Sequence, residues 1–446
     1  MSLLSKRNLC IFLILIYFNA LFVNPSMGFS ESEVISELGE IQGLVDEGDI
    51  PSLHICVVSG DEILWNHGFG EETSDDAVFL IGSIQKMFVS ISILQLYEDG
   101  MLGLNDNVNK YLPFELVHPD YPDASITVRM LLSHRSGLVT TPISEFCFDW
   151  DGLYYPEYSR YYFPSVIGVP LGDYLSMCLS REGDLYNDSN WLFEPGTQYG
   201  YSNIGYHILE YLIETVSNQT ISEYMNYNIF EPLKMNNTGF NSSEYSENHA
   251  TPHTRTQGNS TNKVLPVWNG RYMLRSNGGD MGHLLIALIN NGEFDDIRIL
   301  ESDTVSLMFE NTGNDFKSIL RIMVPLKELR RPGYGLGVEV CNNGIYGHGG
   351  STVGFTAECF FNPSKKIGYV RLSNVNAIVD YTSTGWEDIN RVTNEIRTIV
   401  LTERGMLPQH DYALYGLAGI GILGLITSLY KIKKIKLFTK AIKNIT

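Results

Sequence analysis

Apolar and polar positions divide the chain into segments with different periods. Residues 32–47 repeat their apolar positions at helical spacing, which predicts an amphipathic helix. Residues 53–60 and 62–68 alternate instead and predict a hairpin of two strands. An extended run that starts at residue 79 then becomes a long apolar helix, which ends near Gly100. The first elements of the folded part are therefore a helix, a hairpin and a second helix.

The pattern changes twice more along the chain. Residues 127–308 are mostly helical, with long loops rich in Tyr, Asn and Ser. After Gly333 come short strands separated by Gly and Asn, and then an amphipathic helix at 385–402. Strands near both ends with helices between them predict an α+β fold, in which one sheet is built from both ends and a helical lobe is inserted. We expect an active site between the sheet and the lobe.

Two further apolar runs lie at the chain ends. Lys6 and Arg7 precede the run at 9–23, and small residues follow it at Ser26 and Gly28. This order is typical of a secretory signal cleaved after Gly28, with an uncleaved anchor as the alternative. Near the other end, nineteen residues at 412–430 carry no charge. As a helix they would reach about 28 Å, enough to cross a bilayer, although a buried core helix is the alternative interpretation.

These patterns predict five parts. They are a signal peptide at 1–28, a folded body at 29–405, a linker at 406–411, a transmembrane helix at 412–430 and a basic tail at 431–446. Six lysines follow the span, so the positive-inside rule places the tail in the cytoplasm and the body outside, in a single-pass topology at the cell membrane.

Composition and charge narrow the classes of function. The chain has 446 residues, of which 44% are hydrophobic and 18% charged, so it can bury a large core and is not a disordered tail. The net charge is −20 overall, but residues 29–411 alone hold 51 acidic and 23 basic side chains. Because binding to phosphates needs a basic face, this balance excludes nucleic acid as a partner.

An exported body can form disulfides and carry glycans. Of its cysteines, Cys341 and Cys359 lie on neighbouring predicted strands, so we predict that they pair. A second pair, Cys147 with Cys178, would leave Cys56 as a buried thiol. The cysteine spacing shows no metal pattern. Five Asn-x-Ser/Thr sequences fit a glycosylated surface protein: Asn187, Asn218, Asn236, Asn241 and Asn259.

A serine and a lysine three residues apart begin the second predicted helix. Helical spacing puts Ser83 and Lys86 on one face, where a desolvated lysine can help to activate a serine nucleophile. The same spacing recurs at 260–263 in a polar loop and at 428–431 at the membrane boundary, so only the first pair has a strand-to-helix setting. The alternative interpretation of Ser83 is an ordinary helix N-cap.

Two later motifs could complete such a site. Tyr201 and Asn203 lie in a glycine-bounded loop before a helix, where they offer a phenol and an amide. A competing motif at Tyr224 lies in a helical stretch, where packing is the simpler explanation. The run at 346–351 reads Tyr-Gly-His-Gly-Gly-Ser on a predicted strand, and its glycines would let a substrate approach the strand edge.

Together, these motifs resemble the serine β-lactamase and penicillin-binding protein superfamily. The branch is the one with class C β-lactamases, D-Ala-D-Ala carboxypeptidases, D-aminopeptidases and related esterases. The resemblance covers about residues 32–402 and includes the segments 126–138, 229–235 and 278–281. It implies a β-lactamase/DD-peptidase-like fold, with an antiparallel sheet flanked by helices, and no cofactor.

The resemblance also implies a role for each motif residue. Ser83 would be acylated, while Lys86 and Tyr201 would share the general-base and general-acid work. Asn203 would orient the lysine or the substrate. The remaining substrate-binding positions would be His348, Gly349, Gly350 and Ser351, and the oxyanion hole would be formed by the backbone N–H groups of Ser83 and Ser351.

One position departs from the pattern of the superfamily. His348 stands where class C β-lactamases carry the lysine of Lys-Thr-Gly, so a fixed positive charge is missing at neutral pH. That loss weakens recognition of a substrate carboxylate and suits esterase, amidase or peptidase action.

The sequence thus predicts an outward-facing, membrane-anchored serine hydrolase that acts on ester or amide bonds of small-molecule or peptide-like substrates. β-Lactamase or D-Ala-D-Ala carboxypeptidase activity is one alternative, and a non-catalytic binding module with the same fold is another. Two other features receive no catalytic role. His134 is interpreted as a buried histidine that bonds loop carbonyls. The tyrosines at 154–162 either cover the cleft and shape the substrate pocket or only pack against the fold. The oligomeric state is left open.

Overall fold

The computed structural model describes most of the predicted body. The described residues are 41–47, 50–71, 74–139, 169–240, 248–255, 261–263, 273–312, 333–352 and 354–376, with single positions at 393, 396, 400 and 401. All of them belong to one compact unit, Gly28–Leu401.

A seven-stranded antiparallel sheet forms the centre of this unit, in the order β2-β1-β13-β12-β11-β10-β9. Strands from the two ends of the body meet where β1 pairs with β13, which confirms the predicted assembly. The sheet strands are β1 Ser52–Ser59, β2 Glu62–Gly70, β9 Gly333–Tyr334, β10 Glu339–Val340, β11 Tyr346–Thr352, β12 Phe355–Asn362 and β13 Ile367–Ser373.

Seven short strands form smaller sheets around it. They are β3 Phe79–Leu80 with β6 Arg275–Ser276, β7 Glu293–Phe294 with β8 Ile297–Arg298, and β4 His253–Arg255 with β5 Thr261–Lys263 and β14 Val375–Asn376. The pairing of β3 with β6 matters for the site, because β3 ends two residues before the turn that carries Ser83.

Helices supply most of the described secondary structure between β3 and β9, as the pattern predicts, but the insertion is not all-helical, because the short strands β4 to β8 also lie there. The helices are α2 Gln85–Glu98, α3 Val128–Leu132, α4 Leu171–Leu179, α5 Asn203–Ser217, α6 Ile221–Met225, α7 Gly278–Ile289 and α8 Ser302–Phe309, while α1 Ile41–Glu47 precedes the sheet. A π-helical turn, Asn226–Phe230, follows α6. Positions 393, 396, 400 and 401 of the predicted last helix are helical and buried.

Polar side-chain caps fix where α3 and α5 begin. The Thr127 side chain accepts a hydrogen bond from the Met130 amide and starts α3. Ser202 accepts one from the Gly205 amide at 3.1 Å and starts α5, so the chain leaves its loop directly after Tyr201. Such caps satisfy backbone N–H groups that have no partner within the helix.

The predicted disulfides are wrong. Strand β11 lies between Cys341, at the end of β10, and Cys359 on β12, and two strand spacings exceed the reach of a disulfide. Cys178 is a buried thiol as well, although Cys147 lies outside the described residues. The prediction for Cys56 is confirmed: it is fully buried, and burial raises the pKa of its thiol.

Several predictions fall on residues that the structure does not describe. They concern the signal peptide at 1–28, the linker, span and tail at 406–446, the tyrosines at 154–162, and the sequences at Asn241 and Asn259. In the described part of the chain, no helix is both long and apolar enough to cross a membrane.

Candidate active site

Ser83 lies in a single 3-10 turn, Gly82–Ile84, which continues directly into α2. The turn begins at Gly82 with φ +53°, a left-handed conformation that glycine adopts at little cost. The N-cap positions of the turn and of α2 are Ile81 and Ile84, without a side-chain cap, so the N-cap interpretation of Ser83 is wrong. The serine hydroxyl instead faces other side chains.

Lys86 and Tyr201 both reach the Ser83 hydroxyl. Lys86 Nζ lies 3.1 Å from Ser83 Oγ, and the Tyr201 hydroxyl lies 2.8 Å from the same atom. Lys86 is only 7% exposed, and its Nζ lies 5.0 Å from the centre of the Tyr201 ring. Tyr201, which follows Ser83 by 118 positions in the chain, is thus brought within hydrogen-bond distance of the serine oxygen.

The β11 edge lies against the turn that carries Ser83. A Cβ atom added to Gly82 would lie 2.7 Å from the Ser351 amide nitrogen, so the two backbones are in close approach. A Cβ atom on Gly350 would overlap the Ile81 carbonyl oxygen. The backbone of β11 can come this near only because glycine occupies both positions.

Asn203 and His348, which are predicted to bind substrate, are both partly or fully buried. Asn203 is half-buried as the first residue of α5, two positions after Tyr201. His348 is 2% exposed, with Nδ1 directed at the Gly349 carbonyl and Nε2 2.9 Å from the Tyr334 hydroxyl. Since a carbonyl only accepts, Nδ1 carries the hydrogen, and in the neutral ring Nε2 accepts from Tyr334.

Aromatic rings that the sequence analysis did not identify surround these groups. Lys86 Nζ lies 5.5 Å from the centre of the Tyr206 ring, and burial raises the pKa of Tyr206 and of Tyr334 above the ordinary value of tyrosine. Both phenols therefore stay protonated at working pH. Nothing in the motif spacing distinguishes these two tyrosines among the 26 in the chain.

His134 is buried, as predicted, but the predicted partner is wrong. Its Nδ1 lies 3.1 Å from the Ser202 amide nitrogen and accepts that N–H, so the ring bonds an amide and not a carbonyl. Burial lowers the pKa of His134 well below its usual value, and the nearby Lys86 and His348 lower it further. The ring is therefore neutral.

Of the competing motifs, Tyr224 and Lys263 lie in other elements, whereas Ser260 and residues 428–431 lie outside the described residues. Tyr224 is 5% exposed in α6, which fits the packing interpretation, and Lys263 ends the short strand β5. Within the described ranges, no three His, Cys, Asp or Glu side chains lie close enough to hold a metal ion.

Comparison with known proteins points to one family. A family model described as Beta-lactamase matches residues 39–391. Protein flp of Staphylococcus aureus (strain NCTC 8325 / PS 47) is 24% identical over 346 residues, which are 75% of this chain and 61% of protein flp. The chain thus spans less than two thirds of that relative's length.

Solved structures show the same fold at low identity. An octameric penicillin-binding protein homologue from Pyrococcus abyssi has a TM-score of 0.62 and 23% identity, with 82% of this chain and 77% of that chain covered. EstCE1, a hydrolase with promiscuous acyltransferase activity, has a TM-score of 0.60 and 19% identity, with 81% and 98% covered. At these identities the likeness shows the fold alone.

Proposed function

The chain belongs to the beta-lactamase family, and from this premise we propose that it is a serine hydrolase that forms an acyl-enzyme on Ser83. The observation that carries the proposal is the convergence of Lys86 Nζ and the Tyr201 hydroxyl on Ser83 Oγ, at 3.1 and 2.8 Å. A serine placed between a buried amine and a phenol has the partners that nucleophilic catalysis requires.

The reaction follows from these contacts. Ser83 Oγ attacks the substrate carbonyl, and its proton passes to the Lys86–Tyr201 pair, which can take it because one of the two, the Lys86 amine or the Tyr201 oxygen, is unprotonated before the attack. When the tetrahedral intermediate collapses, the leaving alcohol or amine takes that proton and departs, so Ser83 is left acylated. Water then attacks the acyl carbonyl, gives a proton to the same pair, and releases the acid as Ser83 recovers its hydrogen.

The negative oxygen of the intermediate needs donors close to Ser83. We assign this role to the backbone N–H groups of Ser83 and Ser351, because the Gly82 turn and the β11 edge are in close approach there. Fixed backbone donors stabilise a developing oxyanion without having to reorganise during the reaction.

The substrate class follows from His348. A histidine carries no permanent charge, so His348, whose two ring nitrogens engage Gly349 and Tyr334, supplies no fixed cation for a substrate carboxylate. We therefore propose ester or amide substrates, including peptide-like ones, in preference to β-lactams. The similarity in fold to EstCE1 is consistent with this choice.

A comparison of three substrates tests the substrate class. The full-length chain is assayed with a p-nitrophenyl ester, a D-amino-acid peptide and nitrocefin, and the kcat/KM values are compared. We expect ester turnover to exceed nitrocefin turnover clearly. The reverse order would contradict the role given to His348. Absence of Ser83-dependent labelling by a fluorophosphonate would favour the non-catalytic binding module.

We also propose that the body lies outside the cell and is tethered to the membrane by residues 412–430, with the basic tail at 431–446 in the cytoplasm. The support is the charge and hydropathy pattern of the two chain ends. A chain that stops after residue 405 is expected in the medium, whereas the full-length chain stays with membranes after alkaline carbonate washing. Retention of the shortened chain inside the cell would contradict this topology.

A further inference from the structure

We infer that His134 is a positioning residue, which holds the loop that carries Tyr201 and so keeps the phenol on Ser83. The inference rests on the proposed function, because it gives His134 a role in that same reaction. His134 itself makes no contact with the reacting oxygen that the structure describes, so it acts through Tyr201.

His134 binds the chain on both sides of Tyr201. Its backbone carbonyl accepts the Gly200 amide at 2.8 Å, and its Nδ1 accepts the Ser202 amide at 3.1 Å. Ser202 in turn starts α5 through its side chain. His134 therefore holds the backbone of both neighbours of Tyr201, Gly200 and Ser202.

The ring of His134 also limits where the phenol can lie. Its centre lies 4.4 Å from that of the Tyr201 ring, with 38° between the planes. Tyr334 and Tyr206 pack against the same imidazole, at 4.7 and 5.0 Å. Because His134 is 1% exposed, the Tyr201 ring cannot move into this space without displacing other buried rings.

The protonation state of His134 suits this task. An imidazole accepts an amide N–H at Nδ1 only when that nitrogen carries no hydrogen. The groups that face the ring are Lys86 on α2, His348 on β11, and the phenols of Tyr199, Tyr201, Tyr206 and Tyr334. A protonated His134 would lose the Ser202 bond and add a second cation beside Lys86, and burial opposes that charge.

Two substitutions separate the acceptor from the ring. The backbone of His134 is left-handed, with φ +55°, a conformation that asparagine tolerates better than most residues. His134→Asn keeps an oxygen near the position of Nδ1 and loses the ring. His134→Phe keeps a ring and loses the acceptor. If His134→Phe does not fold, His134→Leu, which also lacks the acceptor, is used in its place.

The experiment measures kcat and KM for the p-nitrophenyl ester and hydrogen exchange of the peptide that contains Ser202, in the full-length chain. For His134→Phe we expect kcat to fall at least tenfold while KM stays within about twofold, with faster exchange at Ser202. In His134→Asn, both exchange protection and kcat should recover in part. Normalising kcat to the fraction of chains labelled by fluorophosphonate removes losses that come from unfolding alone.

Three results would count against the inference. A His134→Phe variant with faster exchange and wild-type kcat would show that the loop bond does not position the phenol. A variant with unchanged exchange would show that the bond does not hold the loop. If the wild-type chain neither hydrolysed the ester nor took up the probe, the proposed function would fail and this inference with it. If the wild type and His134→Phe were equally active, only this inference would fail.

Discussion

Ser83→Ala is expected to abolish ester hydrolysis and covalent labelling, with kcat/KM falling by about 10⁴-fold or more. The reason is that the variant lacks the oxygen on which Lys86 and Tyr201 converge. No acyl-enzyme can then form, and the oxyanion donors alone retain little catalysis. The measurement is hydrolysis of the p-nitrophenyl ester by the full-length chain, together with fluorophosphonate labelling followed by mass.

Ser92, on the helix that follows the turn with Ser83, supplies the matched control. It is fully buried in α2, and its hydroxyl donates to the Phe88 carbonyl at 2.9 Å. Ser92→Ala also removes a serine hydroxyl, here from α2, at a position where such a bond adds little stability. We expect its kcat/KM to stay within about twofold of wild type. If Ser83→Ala retained more than about a hundredth of the activity, the nucleophile would lie elsewhere.

The contact between Ser83 and Lys86 was predictable because its geometry is local. Three residues in a helical turn bring Ser83 and Lys86 to one face whatever surrounds them. The sheet was predictable for a related reason, since the alternation at 53–60 and the short glycine-bounded runs after 333 are local patterns typical of β-strands. That β1 and β13 are buried on both faces was not part of the pattern. Only the topology, with β1 beside β13, needed the assumption that both ends of the body meet.

Contacts between distant parts of the chain were not predictable in the same way. Tyr334 and His348 meet although neither motif spacing nor composition links them. The error at Cys341 and Cys359 has the same origin: the pattern identifies two strands but does not say that β11 lies between them. For His134, the sequence indicated burial, and only the fold shows that the Ser202 amide is its partner.

The adjacent glycines of β11 show most clearly that the sequence does not reveal contacts between distant segments. In the sequence, Gly349 and Gly350 are equivalent members of a Gly-rich strand edge. In the structure, a Cβ atom on Gly349 would meet nothing within 4 Å, whereas one on Gly350 would overlap the Ile81 carbonyl oxygen. Only Gly350 is therefore required by the contact between β11 and the turn at Ser83.

Gly350→Ala is accordingly expected to lower kcat/KM by about 10²-fold, the usual effect of losing one oxyanion donor. The added methyl group must separate β11 from Ile81, and so move Ser351 away from the turn that carries Ser83. Overpacking of this kind also destabilises a fold by about 1–3 kcal/mol. Ester kinetics, the fluorophosphonate labelling rate and the thermal midpoint of the full-length chain measure the two effects separately.

Gly349→Ala is the control for stability alone, since Gly349 itself belongs to the predicted substrate-binding edge. Its φ does not lie in the left-handed region and its added methyl group meets open space, so the thermal midpoint should match wild type or rise slightly. A Gly350→Ala chain with a lowered midpoint and a wild-type labelling rate would show that β11 can move without harm to the reaction. The Ser351 amide would then not be an oxyanion donor, and the second donor would have to come from another element beside Ser83.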